Sequence, residues 1–217
     1  MSSASTARTP IPLRIHLSFF LLAVLLGMSS RDPVRIAAWV AVVFVSVLLH
    51  EFGHALVARA FGYAPRIELH GFGGTTHFDQ RADGSVAEAP TPLRRALISF
   101  AGPLAGMLFG TAVYFVARRF GVDPTSQGSL ASAVVRYALL VNIGWGVFNL
   151  LPVLPLDGGQ ITHAALDALT KGRGAKPAYA VSIAVSVALA VVAARFLALW
   201  PAAMMALFAL QNGRAFF

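Results

Sequence analysis

Apolar blocks about 20 residues long, enough to cross a bilayer, recur along this chain and are separated by shorter polar intervals. The first, 11–28 (IPLRIHLSFFLLAVLLGM), has a basic flank and a short apolar core, the outline of a cleaved leader. The following SSRDP lacks a small-x-small cleavage pattern, so the block is read as a retained first helix with Arg14 snorkelling to the interface. A second block covers 34–61. The longest polar interval, 62–93, follows, and within it RIELHGFGGTTHFD (66–79) sets β-branched and aromatic residues around glycines, the signature of a short hairpin. Further blocks lie at 96–116 and 130–151, joined by a turn-rich loop at 121–129. The last apolar stretch, 178–210, is too long for one span, and Arg195 with Trp200-Pro201 divides it into a fifth and a sixth. The pattern predicts an all-α polytopic membrane protein of about six transmembrane helices, with a small β-hairpin between helices 2 and 3. It forms a single membrane-embedded domain over 1–217, and the small polar residues of the first ten or so positions are expected to be disordered.

Composition agrees, with 57% hydrophobic residues and 12% charged, where an ordinary globular chain is about one quarter charged. The net charge of +8 is read as loop arginines obeying the positive-inside rule and not as a nucleic-acid surface. With six spans and a cytoplasmic N-terminus, 11 of the 17 lysines and arginines fall on the cytoplasmic side. The orientation also puts the C-terminal ends of spans two and four there. There is no cysteine, so a metal would have to be held by His, Asp or Glu.

The stretch LLHEFGHALV (48–57) raises the chemical question, because an ionised glutamate at a membrane helix centre costs about 2.5–3.5 kcal/mol. His50 and His54 stand four apart, on one helix face and one turn from each other, where both imidazoles can reach one metal ion. Glu51 projects near that face without being a ligand and can take a proton from water activated at the metal. A four-coordinate catalytic zinc needs three protein ligands and an open position. Buried carboxylates are scarce, and Asp157 in PLDGGQ, with Pro152 and Pro155 before it and two glycines after, is the outstanding third ligand; a turn or cap role is the alternative. Two histidines, one aspartate and Glu51 would together neutralise Zn²⁺, which makes the glutamate tolerable in lipid.

HEFGH (50–54) with FNLLPVLPLDGGQ (148–160) resembles the site-2 protease family of intramembrane zinc metalloproteases. IPLRIHLSFFLL (11–22), LHGFGG (69–74) and SFAGPLAG (99–106) are also similar to family segments, so the resemblance covers residues 11–160. It implies a three-span catalytic core with one zinc per chain on His50, His54 and Asp157, and Glu51 as general base. It also implies that Asn149 sits beside the metal and holds the substrate carbonyl. Read from the residues alone, Asn149 serves equally well as a helix-packing amide, the role assigned to Asn142. The expected activity is cleavage of transmembrane segments of membrane-protein substrates in regulated intramembrane proteolysis, in a cell membrane, with the active-site side cytoplasmic and no nucleic-acid partner. Alternatives are a membrane metal-binding transporter and a catalytically inactive adaptor of the same fold. No PDZ or CBS-like accessory domain is evident within the sequence.

Other polar residues receive lesser roles. His16 is read as interfacial, His70 and His77 as loop hydrogen-bonding groups, His163 as a residue behind the metal ligands, and Asp167 as facing water near the basic loop 170–177. The strand at 66–69 is read as an unpaired edge that an unwound substrate segment could join.

Overall fold

The structure, a computed structural model, describes residues 10–81 and 84–217. The disorder expected of the first residues concerns positions 1–9, which lie outside those described. Among the described residues, four helices are long and apolar enough to cross a membrane: Pro33–Ala60, Pro92–Arg119, Leu130–Asn149 and Ala175–Arg195. The first of these, α2 (Pro33–Ala60), starts where Asp32 accepts a hydrogen bond from the Val34 amide at 2.9 Å and Pro33 takes the first helical position. Its 28 residues rise about 42 Å, more than the ~30 Å hydrocarbon thickness. Helix α3 (Pro92–Arg119) carries Pro103 inside it and ends on Arg118 and Arg119. The next span is α4 (Leu130–Leu139), a π-helical turn (Leu140–Gly144) and α5 (Trp145–Asn149) in unbroken succession. Then come α6 (Asp157–Leu169), α7 (Ala175–Arg195) and α8 (Leu199–Phe216).

Two expectations change. The first apolar block is not one helix: Leu13–Ile15 forms a strand, β1, and only Leu17–Gly27 is helical (α1), 11 residues long. At 1.5 Å per residue α1 rises about 16 Å and cannot span alone. The stretch 178–210 does divide near Arg195, yet α8 is not among the helices long and apolar enough to cross. Asp157 itself follows a non-helical stretch, 150–156, and opens the new helix α6.

The expected hairpin is present as β2 (Arg66–His70) and β3 (Gly73–His77), antiparallel, with Ile67 opposite Thr76 and Leu69 opposite Gly74. β1 adds to it in parallel, so the sheet order is β1-β2-β3. β2 is therefore the central strand and not an unpaired edge. The Ile67 amide donates to Pro12 O at 2.9 Å and Leu69 O accepts from the His16 amide at 2.8 Å. Alternation along the pleat then turns the backbone groups of Arg66, Glu68 and His70 toward β3. Their partners Gly73, Thr75 and His77 face back, which leaves the amides and carbonyls of Gly74 and Thr76 on the outer side of β3.

The described residues form two compact units. One runs to Ala89 and resumes over Ala101–Gly146. Its core gathers Phe19, Ala55, Ile67 and Leu69, with Phe20, Phe44, Val47, Leu48 and Phe52 packed against them. Trp39 on α2 fixes α1 by donating from Nε1 to Ala23 O at 3.0 Å and packs edge-on against Tyr137 of α4. The other unit comprises Pro90–Phe100 and Val147–Phe217, with α7 packed against both α6 and α8.

Candidate metal centre

Helix α2 brings its histidines together as the four-residue spacing requires. His50 and His54 present Nε2 atoms 3.1 Å apart, with ring planes at 84°. Two nitrogens bound to one tetrahedral zinc at 2.0–2.1 Å stand about 3.3 Å apart, so the pair already has the spacing of a metal-coordination edge. His50, Glu51 and His54 form the one group of three or more His, Asp and Glu among the described residues placed to hold a metal, with ligand atoms within 4.8 Å of one another. Glu51 is only 4% exposed and His54 7%. An ionised side chain that deep needs compensation, and a divalent cation would supply it. On this geometry the residues fit a zinc ion.

Three neighbours in the same unit shape the pair. The Thr76 hydroxyl lies 2.7 Å from Glu51 Oε2 and 3.1 Å from the Glu51 carbonyl oxygen, so it can donate to either and holds the carboxylate beside β3. Gly74 leaves the carboxylate its room, because a Cβ there would stand 2.5 Å from Glu51 Cγ and Oε1. On the other side, the backbone of α3 at Gly102 lies directly on the His54 ring, where a Cβ would collide with Nε2. Gly53 completes this close approach, with Ala101 O 2.5 Å from where its Cβ would be. Motif reading does not reach Thr76, Gly74 or Gly102 as site residues. The segments LHGFGG and SFAGPLAG signal them only through their glycines.

Asn142 has the packing role expected of it. Buried at the π-helical turn, it donates from Nδ2 to Ser46 Oγ and to Ala138 O, each at 2.8 Å. Ser46 is one turn before His50, so this bond ties the fourth span to the helix that carries the histidine pair, within their unit. Gly110 makes room for Asn142, whose Cβ would lie 2.9 Å from an added methyl.

In the other unit, Asp157 is the first residue of α6 and Asn149 the last of α5. The Asp167 carboxylate, expected to face water, is instead largely enclosed. It accepts from Arg95 Nη1 at 2.9 Å and from the Gly174 amide at 2.9 Å, with His163 Nε2 at 3.4 Å. Burial pushes its pKa up, but the Gly174 amide, Arg95 and His163 outweigh that and hold it below the usual carboxylate value. His163 thus belongs to this cluster. His70 pairs with the Thr75 hydroxyl at 3.0 Å, and His77 lies 3.8 Å from Glu68; both serve the sheet.

The sequence model of peptidase family M50 matches residues 38–127 and 122–193. A zinc metalloprotease of Methanocaldococcus jannaschii is 33% identical over 162 residues, 72% of this chain and 43% of that protein. Rip3 of Mycobacterium tuberculosis is 33% identical over 159 residues, 70% of this chain and 38% of its own length. The chain thus spans about two fifths of the curated relatives it matches. The solved structure of a site-2 protease from Methanocaldococcus jannaschii shares the fold, with a TM-score of 0.64 over 95% of this chain and 91% of its own at 24% identity. With the family model covering most of its length and relatives at this identity, the chain belongs to peptidase family M50, the site-2 protease family.

Proposed function

We propose that this chain is an intramembrane zinc metalloendopeptidase that cleaves transmembrane segments of membrane-protein substrates. The observation that carries the reading is the His50–His54 pair at metal-edge spacing, with Glu51 buried beside it and oriented by Thr76. A transporter would spread its ionisable groups along a path, whereas here they converge. An inactive adaptor has no need of Glu51, which is present.

In this reading one zinc ion is held by His50, His54 and Asp157, and when bound it supplies Lewis acidity that polarises a carbonyl and acidifies water. Glu51, its Oε2 fixed by the Thr76 hydroxyl, accepts the proton of the attacking water and returns it to the leaving amine. The Asn149 amide donates to the carbonyl oxygen as negative charge builds there. The substrate must unwind before it reaches these groups, and each backbone bond it loses in lipid needs a replacement. The outward amides and carbonyls of Gly74 and Thr76 on β3, two residues from the Glu51 contact or at it, are the edge that can supply them. The reading places the chain in a cell membrane, with the active-site side cytoplasmic.

Elemental analysis of the purified protein tests the metal assignment. The expected result is about one zinc per chain in wild type and in Glu51→Gln, and loss of it in His50→Ala and His54→Ala. Full zinc in His54→Ala overturns the reading.

A further inference from the structure

The backbone immediately before Asp157 is held by side chains far along the chain. The Leu154 amide donates to Ser182 Oγ on α7 at 3.0 Å, and the Leu154 carbonyl accepts from Asn212 Nδ2 on α8 at 2.7 Å. Ser182 is 1% exposed and Asn212 3%. Asn212 is anchored in turn, since the same Nδ2 lies 2.7 Å from Phe208 O. A non-helical peptide at this depth must satisfy both its polar groups internally. Here neither partner comes from the local backbone.

The same stretch is the surface on which the start of α6 rests. A Cβ at Gly158 would collide with the carbonyls of Leu150 and Leu151, and one at Gly159 with Val153 and the Leu154 amide. The first turn of α6 therefore lies in backbone contact with 150–154, and Asp157 is the residue that opens that turn. Any shift of the loop moves Asp157 with it.

We propose that Asn212 and Ser182 are positioning residues, which grip Leu154 from α8 and α7 and so set the place of the Asp157 carboxylate. The inference rests on the assignment of Asp157 as a metal ligand. It gives α8, which is not among the helices long and apolar enough to cross a membrane, a specific task. It also gives the buried Asn212 amide and the buried Ser182 hydroxyl a common purpose.

The test uses the full chain in detergent and compares wild type, Asn212→Leu, Ser182→Ala, Ser182→Thr and Asp157→Ala. Zinc retention is measured against a graded chelator, and the visible d–d bands of the cobalt(II)-substituted protein report ligand geometry. Turnover of β-casein gives kcat and KM. Asn212→Leu keeps the shape of the side chain and removes its donor. It is expected to weaken zinc retention at least tenfold, shift the cobalt bands toward those of Asp157→Ala, and lower kcat with little change in KM. Ser182→Ala is expected to do the same to a smaller degree, and Ser182→Thr, which keeps the acceptor, to behave as wild type. If Asn212→Leu fails to fold, Ser182→Ala, which removes one oxygen atom, decides the matter alone. Wild-type zinc retention and cobalt bands in these variants, beside an Asp157→Ala that loses zinc, would overturn the inference and leave the ligand assignment standing. Unchanged zinc binding in Asp157→Ala would overturn the assignment and the inference together.

Discussion

His50, Glu51 and His54 are legible in the sequence because an i, i+4 relation on a helix is local and fixes direction as well as distance. Thr76 is hidden for the opposite reason: its bond to Glu51 spans 25 positions and depends on how β3 lies against α2. The two glycines that shape the site give a sharper expectation than the motif does. Gly102→Ala places a methyl against the His54 imidazole, and a helix backbone does not yield easily. Zinc affinity should fall at least tenfold in chelator competition, with Glu51 chemistry otherwise intact. Gly74→Ala instead presses on the Glu51 carboxylate. Displacement of about 1 Å in a reacting group can cost 10²-fold, so kcat should drop by about that factor while elemental analysis shows normal zinc. If both variants lose zinc equally, or neither loses activity, the division of roles between His54 and Glu51 is wrong.

At the scale of elements, strand order matters more than strand existence. The β2–β3 hairpin could be read from glycines between alternating residues, but β1 is three residues long, and the short alternation Leu13-Arg14-Ile15-His16 runs straight into the apolar run that announces a helix. Its pairing 54 positions away, Leu13 with Ile67, is what makes β2 central. Ile67→Pro thus deletes a buried donor and strands the Pro12 carbonyl, at a cost of about 1–3 kcal/mol. The expected outcome is a protein with lowered thermal stability, and not a stable, zinc-loaded protein with a selective defect on helical substrates. A melting curve with zinc analysis distinguishes the two. Asp167 offers a second test at this scale. Its partner Arg95 is 72 positions away, which is why the sequence suggested a solvated carboxylate. Its folded pKa is lowered, whereas an unfolded aspartate titrates near 3.9. The stability it adds is therefore complete above about pH 4 and lost as pH falls through the folded value. Asp167→Asn should melt lower than wild type at pH 7, and the gap should narrow as the pH falls below about 4. A gap independent of pH would contradict the pairing with Arg95.

For the whole molecule, long apolar blocks announce spans two, three and four within a few residues of their observed ends, since a bilayer imposes length and polarity together. The ends of the chain are less readable. α1 is shortened because β1 takes residues from it, and the place of Asn212 on Leu154 follows from tertiary packing that no local pattern encodes. The proposed topology sets the α3–α4 loop and the α6–α7 loop on opposite sides of the membrane. With no native cysteine, Gln127→Cys and Arg173→Cys, both at exposed positions, should each label from one face only, and from different faces. Labelling of both from the same face would contradict the assignment. The central claim, that Glu51 performs proton transfer in peptide hydrolysis at a metal held by its own helix, is tested most directly by proteolysis at equal metal content. Wild type and Glu51→Gln, each loaded with one zinc and reconstituted in vesicles with a single-span substrate, should differ by at least 10²-fold in cleavage rate. Equal rates would contradict the account.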